Sequence, residues 1–254
     1  MKVKWFSFLT ICLVTALALS LSSLPLQADA ILDFNLTSPT TGTISYAGGA
    51  NPLVGSNISV DSVVGLGTSA NDGVVRSLFS ARLNFTTGNL IGFTSTTWDF
   101  SGGGSITLTG GVDLTGNGIE DSGDIPTGTV LLIGAFDSAA VVKSGSSFRV
   151  AISAFTDTKN DALLAFYNLP SGPSAGDLSG NFNISFFASG SPPNRFGSRV
   201  VLSGDITNTC IGDAECVGGG GGGGGIPEPA SLTLVGCGFL TMGFLAQRKL
   251  LKKK

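Results

Sequence analysis

Histidine is absent from this chain of 254 residues. Its absence excludes catalysis by Ser-His-Asp or Cys-His groups and removes imidazole as a metal ligand. Charge is also scarce, because Asp, Glu, Lys and Arg together make up only 12% of the residues, about half of the usual share. The formal net charge is −3. Without a basic surplus to neutralise phosphates, nucleic acid is not an expected partner.

The few charges are unevenly distributed along the chain. Two lysines lie within the first five residues, and five further Lys and Arg residues follow residue 247. Between Ile31 and Gly225, seven basic residues stand against fifteen acidic ones, a difference of −8. The middle of the chain is therefore acidic, and both extremities are basic.

The first 30 residues are typical of a secretory signal peptide. Lys2 and Lys4 form a positive start, and an almost wholly apolar run follows from Trp5 to Leu21. Ala28-Asp29-Ala30 then has the small-x-small pattern that signal peptidase accepts. We expect cleavage after Ala30, which makes the protein exported. An uncleaved anchor helix is the alternative.

A second apolar stretch, 230–246, has 17 residues and is near the lower limit for a helix that crosses a bilayer. A basic cluster follows it, made of Arg248, Lys249, Lys252, Lys253 and Lys254. Because positive residues stay on the cytoplasmic side, we expect a type I arrangement with the tail inside and the preceding domain outside. A buried core helix is the alternative.

The segment Pro227-Glu228-Pro229 stands directly before this stretch. The prolines keep it extended and outside the helix, and Glu228 marks the membrane boundary because a carboxylate enters a bilayer at high cost. The order of motif, apolar helix and basic tail over 226–254 resembles the PEP-CTERM sorting signal of bacterial exported proteins, which is also called the ice-binding protein C-terminal domain. The basic cluster departs from the family pattern, since it is rich in lysine and is interrupted by two leucines.

The resemblance implies recognition by an exosortase, a membrane-embedded cysteine peptidase that removes the tail. It also implies a bacterium that makes extracellular polysaccharide or biofilm matrix. Residues 218–225 are eight consecutive glycines, which form a flexible linker. The expected organisation is a signal peptide over 1–30, an ectodomain over 31–217, this linker, and the sorting signal over 226–254.

Residues 31–208 have the period-two pattern of half-buried strands. In one example, Phe182, Ile184 and Phe186 alternate with polar residues. Turn signals rich in Gly, Asn and Pro recur every 8–12 residues, which is typical of all-β domains. We predict a single β-sandwich with jelly-roll topology. Only the segment 161–168 has a pattern that fits a short helix as well as a strand.

Two cysteines belong to the predicted ectodomain. Cys210 and Cys216 lie six positions apart, while Cys12 and Cys237 fall in the two apolar segments. In an exported protein such a pair favours a local disulfide. A metal site with two cysteine ligands is the alternative, although no further soft ligand lies nearby.

The segment 113–124 has the spacing of a calcium-binding loop. Oxygen-bearing side chains occupy its positions 1, 3, 5, 9 and 12, a carbonyl is available at position 7, and Gly118 occupies position 6, where a sharp turn needs it. The expected ligands are Asp113, Thr115, Asn117, Ile119, Asp121 and Asp124. The loop resembles those of EF-hands and dockerins, but strands flank it instead of helices. A plain acidic hairpin loop is the alternative.

We expect the calcium loop, if no cation is bound, to be held open by repulsion between its carboxylates. Glycosidase chemistry would need two close carboxylates, for which Asp157 with Asp161 and Asp99 with Asp113 are the candidates. Trp98 is the candidate for stacking on a sugar. We expect a non-enzymatic cell-surface or extracellular-matrix protein, with a carbohydrate- or ice-binding module as the alternative and a secreted glycosidase as a third possibility. The expected partners are signal peptidase, an exosortase, the membrane and extracellular polysaccharide.

Overall fold

The computed structural model describes residues 30–170 and 178–210 of the chain. These residues form eleven strands and one short helix. In chain order they are β1 (Ile31–Leu36), β2 (Thr43–Tyr46), β3 (Pro52–Ser59), β4 (Ser62–Leu66), β5 (Val75–Phe93), β6 (Thr97–Ser101), β7 (Ser105–Val112), β8 (Ile125–Ser144), β9 (Ser147–Lys159), α1 (Asp161–Phe166), β10 (Leu178–Ala188) and β11 (Phe196–Cys210). The prediction of an all-β domain is confirmed.

The strands form one antiparallel sheet that closes on itself. β8, β9, β10 and β11 pair in succession. β11 also pairs with β1 and β2, which lead through β4 and β3 to β5. β5 pairs with β6 and β7, and both of these pair with β8, which completes the circuit.

A β-sandwich in its usual form has two separate sheets, whereas the described strands share one sheet. The lengths of two strands explain the difference. β5 has 19 residues and β8 has 20, so each pairs with both β6 and β7 and joins regions that would otherwise be separate. The sequence does not predict strands of these lengths. Both strands contain residues that are typical of turns, and these residues predict shorter strands.

The period-two pattern places the core inside the closed sheet. In β10, Phe182, Ile184 and Phe186 are fully buried, while Asn183 and Ser185 between them are partly exposed. The same alternation continues through β1, β2 and β6, whose inward side chains belong to one hydrophobic cluster. Burial of each large apolar side chain stabilises the folded state by about 1.5–3 kcal/mol. Because a slip by one residue would turn the core face of a strand outward, this free energy fixes the register of each strand.

The domain has two opposite poles. At the first, the start of β1 lies beside the end of β11, because Ile31 pairs with Thr209. We call this the terminal pole. At the other, which we call the loop pole, lie the connections 47–51, 94–96, 145–146 and 189–195. β11 runs from one pole to the other, and its 15 residues span about 45 Å at roughly 3.3 Å per residue.

The segment that fits either a helix or a strand is helical in the structure. Asn160 caps α1, and its side-chain oxygen accepts hydrogen bonds from the backbone N–H groups of Ala162 and Leu163 at 3.0 and 3.2 Å. After the helix, the hydroxyl of Tyr167 donates to the carbonyl of Val74 at 2.8 Å. Burial raises the pKa of Tyr167 to about 12. The helix is thereby fixed to the strands near the terminal pole.

Several predicted segments lie outside the described residues. They are the signal peptide 1–30 except Ala30, the glycine linker 218–225, the sorting motif Pro227-Glu228-Pro229, the apolar stretch 230–246 and Cys216. Cys210 ends β11, but its side chain also lies outside the described set, so the disulfide stays a prediction. Residues 30–170 and 178–210 contain no helix with the length and hydrophobicity that a membrane crossing needs.

Candidate functional site

The segment predicted to bind calcium is the hairpin loop between β7 and β8. The strands on both sides are as expected from the sequence, with β7 ending at Val112 and β8 beginning at Ile125. Asp113 is only 3% exposed, and its backbone N–H donates to the carbonyl of Ser77 at 2.9 Å. The first residue of the loop is therefore fixed to β5.

The carboxylate of Asp113 organises the first half of the loop. Its Oδ1 accepts hydrogen bonds from the backbone N–H groups of Gly116 and Asn117 at 2.7 and 3.2 Å, and its Oδ2 accepts one from Gly118 at 2.9 Å. Gly116 and Gly118 have φ values of +75° and +78°, which side chains larger than hydrogen rarely tolerate. The glycines let the backbone fold around this carboxylate.

The second half of the loop is held by Asp121 and Asp124. Asp124 accepts the backbone N–H groups of Thr115 and Asp121, both at 3.0 Å, and the bond from Thr115 holds the pKa of Asp124 below its usual range. Asp121 accepts the side-chain amide of Asn117 at 2.7 Å. The side chain of Ile119 is 70% exposed, so this residue offers only its backbone to the loop.

Glu120 is bound to Thr127 at the start of β8. Its carboxylate accepts the backbone N–H of Thr127 at 2.8 Å and the hydroxyl of Thr127 at 2.6 Å. The hydroxyl bond is the main reason that the pKa of Glu120 lies below its usual range. Glu120 therefore fixes the loop to the start of β8.

The loop is closed in the structure by bonds from carboxylates to backbone N–H groups. These donors offset the negative charge of the carboxylates. The expectation that repulsion between the carboxylates opens the loop when no cation is bound stays a prediction. Among the described residues, no three acidic or cysteine side chains converge tightly enough to hold a metal ion. Calcium binding by Asp113, Asp121, Asp124 and their neighbours stays a prediction.

Replacing Asp113 by alanine should destabilise the protein by about 2 kcal/mol, because it leaves several N–H groups of a partly buried turn without their acceptor. Thermal unfolding of the full chain measures the loss, and Asp137→Ala, which removes an exposed carboxylate outside the loop, is the matched control. Repeating both melts in millimolar calcium and in chelator tests the metal separately. A Tm for Asp113→Ala equal to that of Asp137→Ala would contradict this role.

The structure does not bring together the carboxylates considered for glycosidase chemistry. Asp157 points into the core and forms an ion pair with Lys159, with Oδ1 and Nζ 2.7 Å apart, while Asp161 is exposed on α1. Asp99 pairs with Ala140 of β8, whereas Asp113 follows the residue that pairs with Ile125. These β8 positions are 15 residues apart, or about 50 Å along an extended strand.

Trp98 is not available for stacking on a sugar. Its side chain is fully buried, and its ring lies 4.9 Å from that of Phe196 and 5.5 Å from that of Phe148. The two tyrosines of the domain, Tyr46 and Tyr167, are also buried. The exposed aromatic residues among those described are Phe93 and Phe187, at 55% and 41%. The sequence analysis selected Trp98 for sugar stacking by its residue type. The exposure of an aromatic side chain depends instead on its position on the strand.

The outer face of three adjacent strands presents threonines around an exposed aliphatic side chain. Thr107 of β7 pairs with Ile133 of β8, and Ile133 pairs with Thr158 of β9. Ile133 is 52% exposed, Thr158 is exposed and Thr107 is partly exposed. We call these three residues the hydroxyl face. It is uncharged, and it combines hydrogen-bonding and apolar groups in one row.

Sequence reasoning missed the buried ion pair of Asp157 and Lys159. A signal was present, because both residues continue the inward positions of β9 beyond the buried Phe155.

Comparison with protein-family models, curated proteins and solved structures found no match to this chain. The resemblance of its tail to the PEP-CTERM family therefore rests on the residues of that tail alone.

Proposed function

We propose that the chain is a non-enzymatic exported protein of the bacterial cell surface or extracellular matrix. One observation supports this most directly. The first strand begins at Ile31, immediately after the expected cleavage site, and the last strand ends at Cys210, shortly before the glycine linker. Each of these strands, Ile31–Leu36 and Phe196–Cys210, thus lies between the predicted signal peptide and the predicted sorting signal.

In this proposal, the C-terminal helix first holds the ectodomain at the membrane in a type I orientation. An exosortase then acts at Pro227-Glu228-Pro229, and the eight glycines give it access without contact with the folded domain. Because the start of β1 and the end of β11 lie together at the terminal pole, signal peptidase and exosortase act on the same side of the domain. The loop pole is then the end remote from the tether.

The proposal includes a sandwich-like form for the ectodomain. Phe85 of β5 and Phe182 of β10 lie on strands that do not pair, yet their ring centroids are 5.0 Å apart. Tyr46 of β2 and Phe100 of β6 are likewise 5.4 Å apart. These contacts favour a closed sheet flattened into two walls around a thin aromatic core.

The non-enzymatic part of the proposal is supported by the separation of the candidate carboxylate pairs.

The mature protein should begin at Ile31. Cleavage there leaves β1 complete, and the inward residues Leu32 and Phe34 stay in the core. Mass spectrometry of the N-terminal peptide, recovered from protein outside the cytoplasm, checks this expectation. An intact Met1–Ala30 segment on exported protein would refute cleavage and would favour the anchor-helix alternative.

A carbohydrate- or ice-binding module is the second candidate function. The observation in its favour is the hydroxyl face, where Thr107 and Thr158 flank the exposed Ile133. Hydroxyl groups beside an apolar side chain suit a ligand that offers both hydrogen bonds and apolar surface, as sugars do. Binding at this face would be lost on substitution of Thr158 and retained on changes at the loop pole.

A further inference from the structure

A concave surface lies at the loop pole, remote from both ends of the described domain. It has a volume of about 620 Å³ and is lined by Gly48, Leu90, Phe93, Pro193, Asn194 and Arg195, among others. The size is within the usual range for small-molecule sites, which is roughly 300–1,000 Å³. Phe93 is 55% exposed and Arg195 is exposed, so both lining side chains are accessible from solvent.

The loop that carries Arg195 is held in place from two sides. On one side, the indole N–H of Trp98 donates to the carbonyl of Asn194 at 3.2 Å. On the other, the ammonium group of Lys143 donates to the carbonyl of Gly190 and to the hydroxyl of Ser191. The loop is therefore built into the fold, and Arg195 projects from a fixed backbone, which reduces the entropy lost on binding.

Positive charge is concentrated at this pole. Of the seven basic residues between Ile31 and Gly225, four lie on the loops and strand ends of this pole, and one of these four, Arg195, lines the concavity. The four are Lys143, Arg149, Arg195 and Arg199. The loops 47–51, 94–96, 145–146 and 189–195 contain no Asp or Glu. None of the four cations forms an ion pair with a described carboxylate, since Asp157–Lys159 is the one ion pair in the described part of the chain.

Negative charge lies mostly towards the other pole. The loop 113–124 alone carries four carboxylates, and Asp33 and Asp205 lie on neighbouring strands near the terminal pole. The nearest carboxylate to the loop pole along its strands is Asp99, on β6. An acidic domain with one basic end directs an anionic ligand to that end.

We propose that the concavity at the loop pole binds an acidic polysaccharide. The guanidinium of Arg195 holds a carboxylate of the polymer in a charge-assisted hydrogen bond, and the exposed ring of Phe93 packs against the apolar face of the sugar. A cation and an exposed aromatic ring that line one concavity suit a sugar unit with one carboxylate. The physiological meaning rests on the proposed export, because an exported domain meets such a polymer, but the binding itself does not require export.

Binding of the full chain, purified in detergent, to immobilised alginate tests the proposal, with neutral dextran and duplex DNA as comparison probes. We expect alginate to bind best. Arg195→Ala and Phe93→Ala should each weaken binding by about tenfold or more, as the loss of a main contact does. Arg82→Ala, which removes an exposed cation elsewhere on β5, and Ile91→Ala, which removes a 70% exposed side chain outside the lining, should change it little.

Three results would overturn the proposal. The first is no preference of the wild-type chain for alginate over dextran and DNA. The second is equal weakening by Arg195→Ala and Arg82→Ala, which would show non-specific charge attraction. The third is binding that survives Arg195→Ala and is lost in Thr158→Val, which would place it on the hydroxyl face. Circular dichroism of each variant checks the fold. The assay uses purified protein, so its failure is distinct from a failure of export or processing.

Discussion

Replacing Asp157 by alanine is expected to destabilise the domain by about 3–5 kcal/mol, because it leaves a buried ammonium group without its counter-ion. The side chains of Asp157 and Lys159 are both 0% exposed, and their charged atoms are 2.7 Å apart. Burial raises the pKa of Asp157 and lowers the pKa of Lys159, so each charge depends on the other. Chemical denaturation of the full chain measures the loss.

Two further variants separate this pair from simple loss of packing. The double variant Asp157→Leu with Lys159→Met should recover most of the stability, because an apolar pair of similar volume has no charge to desolvate. In Lys159→Met alone, Asp157 keeps a pKa raised by burial. A folded-state pKa above the unfolded value stabilises the protonated form, so this variant should be most stable at low pH and should lose stability as the pH rises. An Asp157→Ala variant within about 1 kcal/mol of the wild type would contradict the role of the pair.

Replacing Pro227, Glu228 and Pro229 together by alanine is expected to abolish release of the ectodomain. In the proposed sorting signal, the two prolines exclude the segment from the helix and the carboxylate marks the membrane boundary, and the substitutions remove all three residues. The apolar helix would extend into the motif, and the peptidase would lose its extended substrate. The variant should accumulate in the membrane fraction with its basic tail attached, as detected with an antibody to the ectodomain.

The matched control for this variant is the replacement of Asp213 and Glu215 by alanine. These substitutions also remove negative charge upstream of the apolar stretch, but they leave the motif, the apolar stretch and the glycine linker unchanged. The control should be released like the wild type. Release of the triple variant at the wild-type rate would contradict the assignment of a sorting signal.

The sequence pattern was sufficient to predict the strands and their core faces. Alternation of apolar and polar residues correctly gave the inward positions of β10 and the class of the domain, because burial of one strand face depends on local order alone. It was not sufficient to predict the closed sheet. The pairing of β11 with β1 joins residues about 175 positions apart, and no local signal specifies such a partner.

The candidate sites, like the fold, could be predicted from the sequence only in part. The boundaries of the loop 113–124 follow from the flanking strands and from its glycines, and both are visible in the sequence. The hydrogen bonds that Asp113 accepts from backbone N–H groups are not visible in the sequence, since the same residues at the same spacing suit a cation as well as a turn. Phe93 and Arg195 line one concavity although they lie about 100 positions apart in the chain, and neither residue is distinctive alone.

We propose that the β domain is exported and then released from a C-terminal sorting signal, and the C-terminus of the released form distinguishes this route from others. Intact-mass and peptide mass spectrometry of ectodomain recovered outside the cell should show a chain that begins at Ile31 and lacks the apolar stretch 230–246 and the basic residues after it. The membrane-bound pool should retain Lys254. Released protein that still carries the residues from Ala230 to Lys254 would contradict the claim.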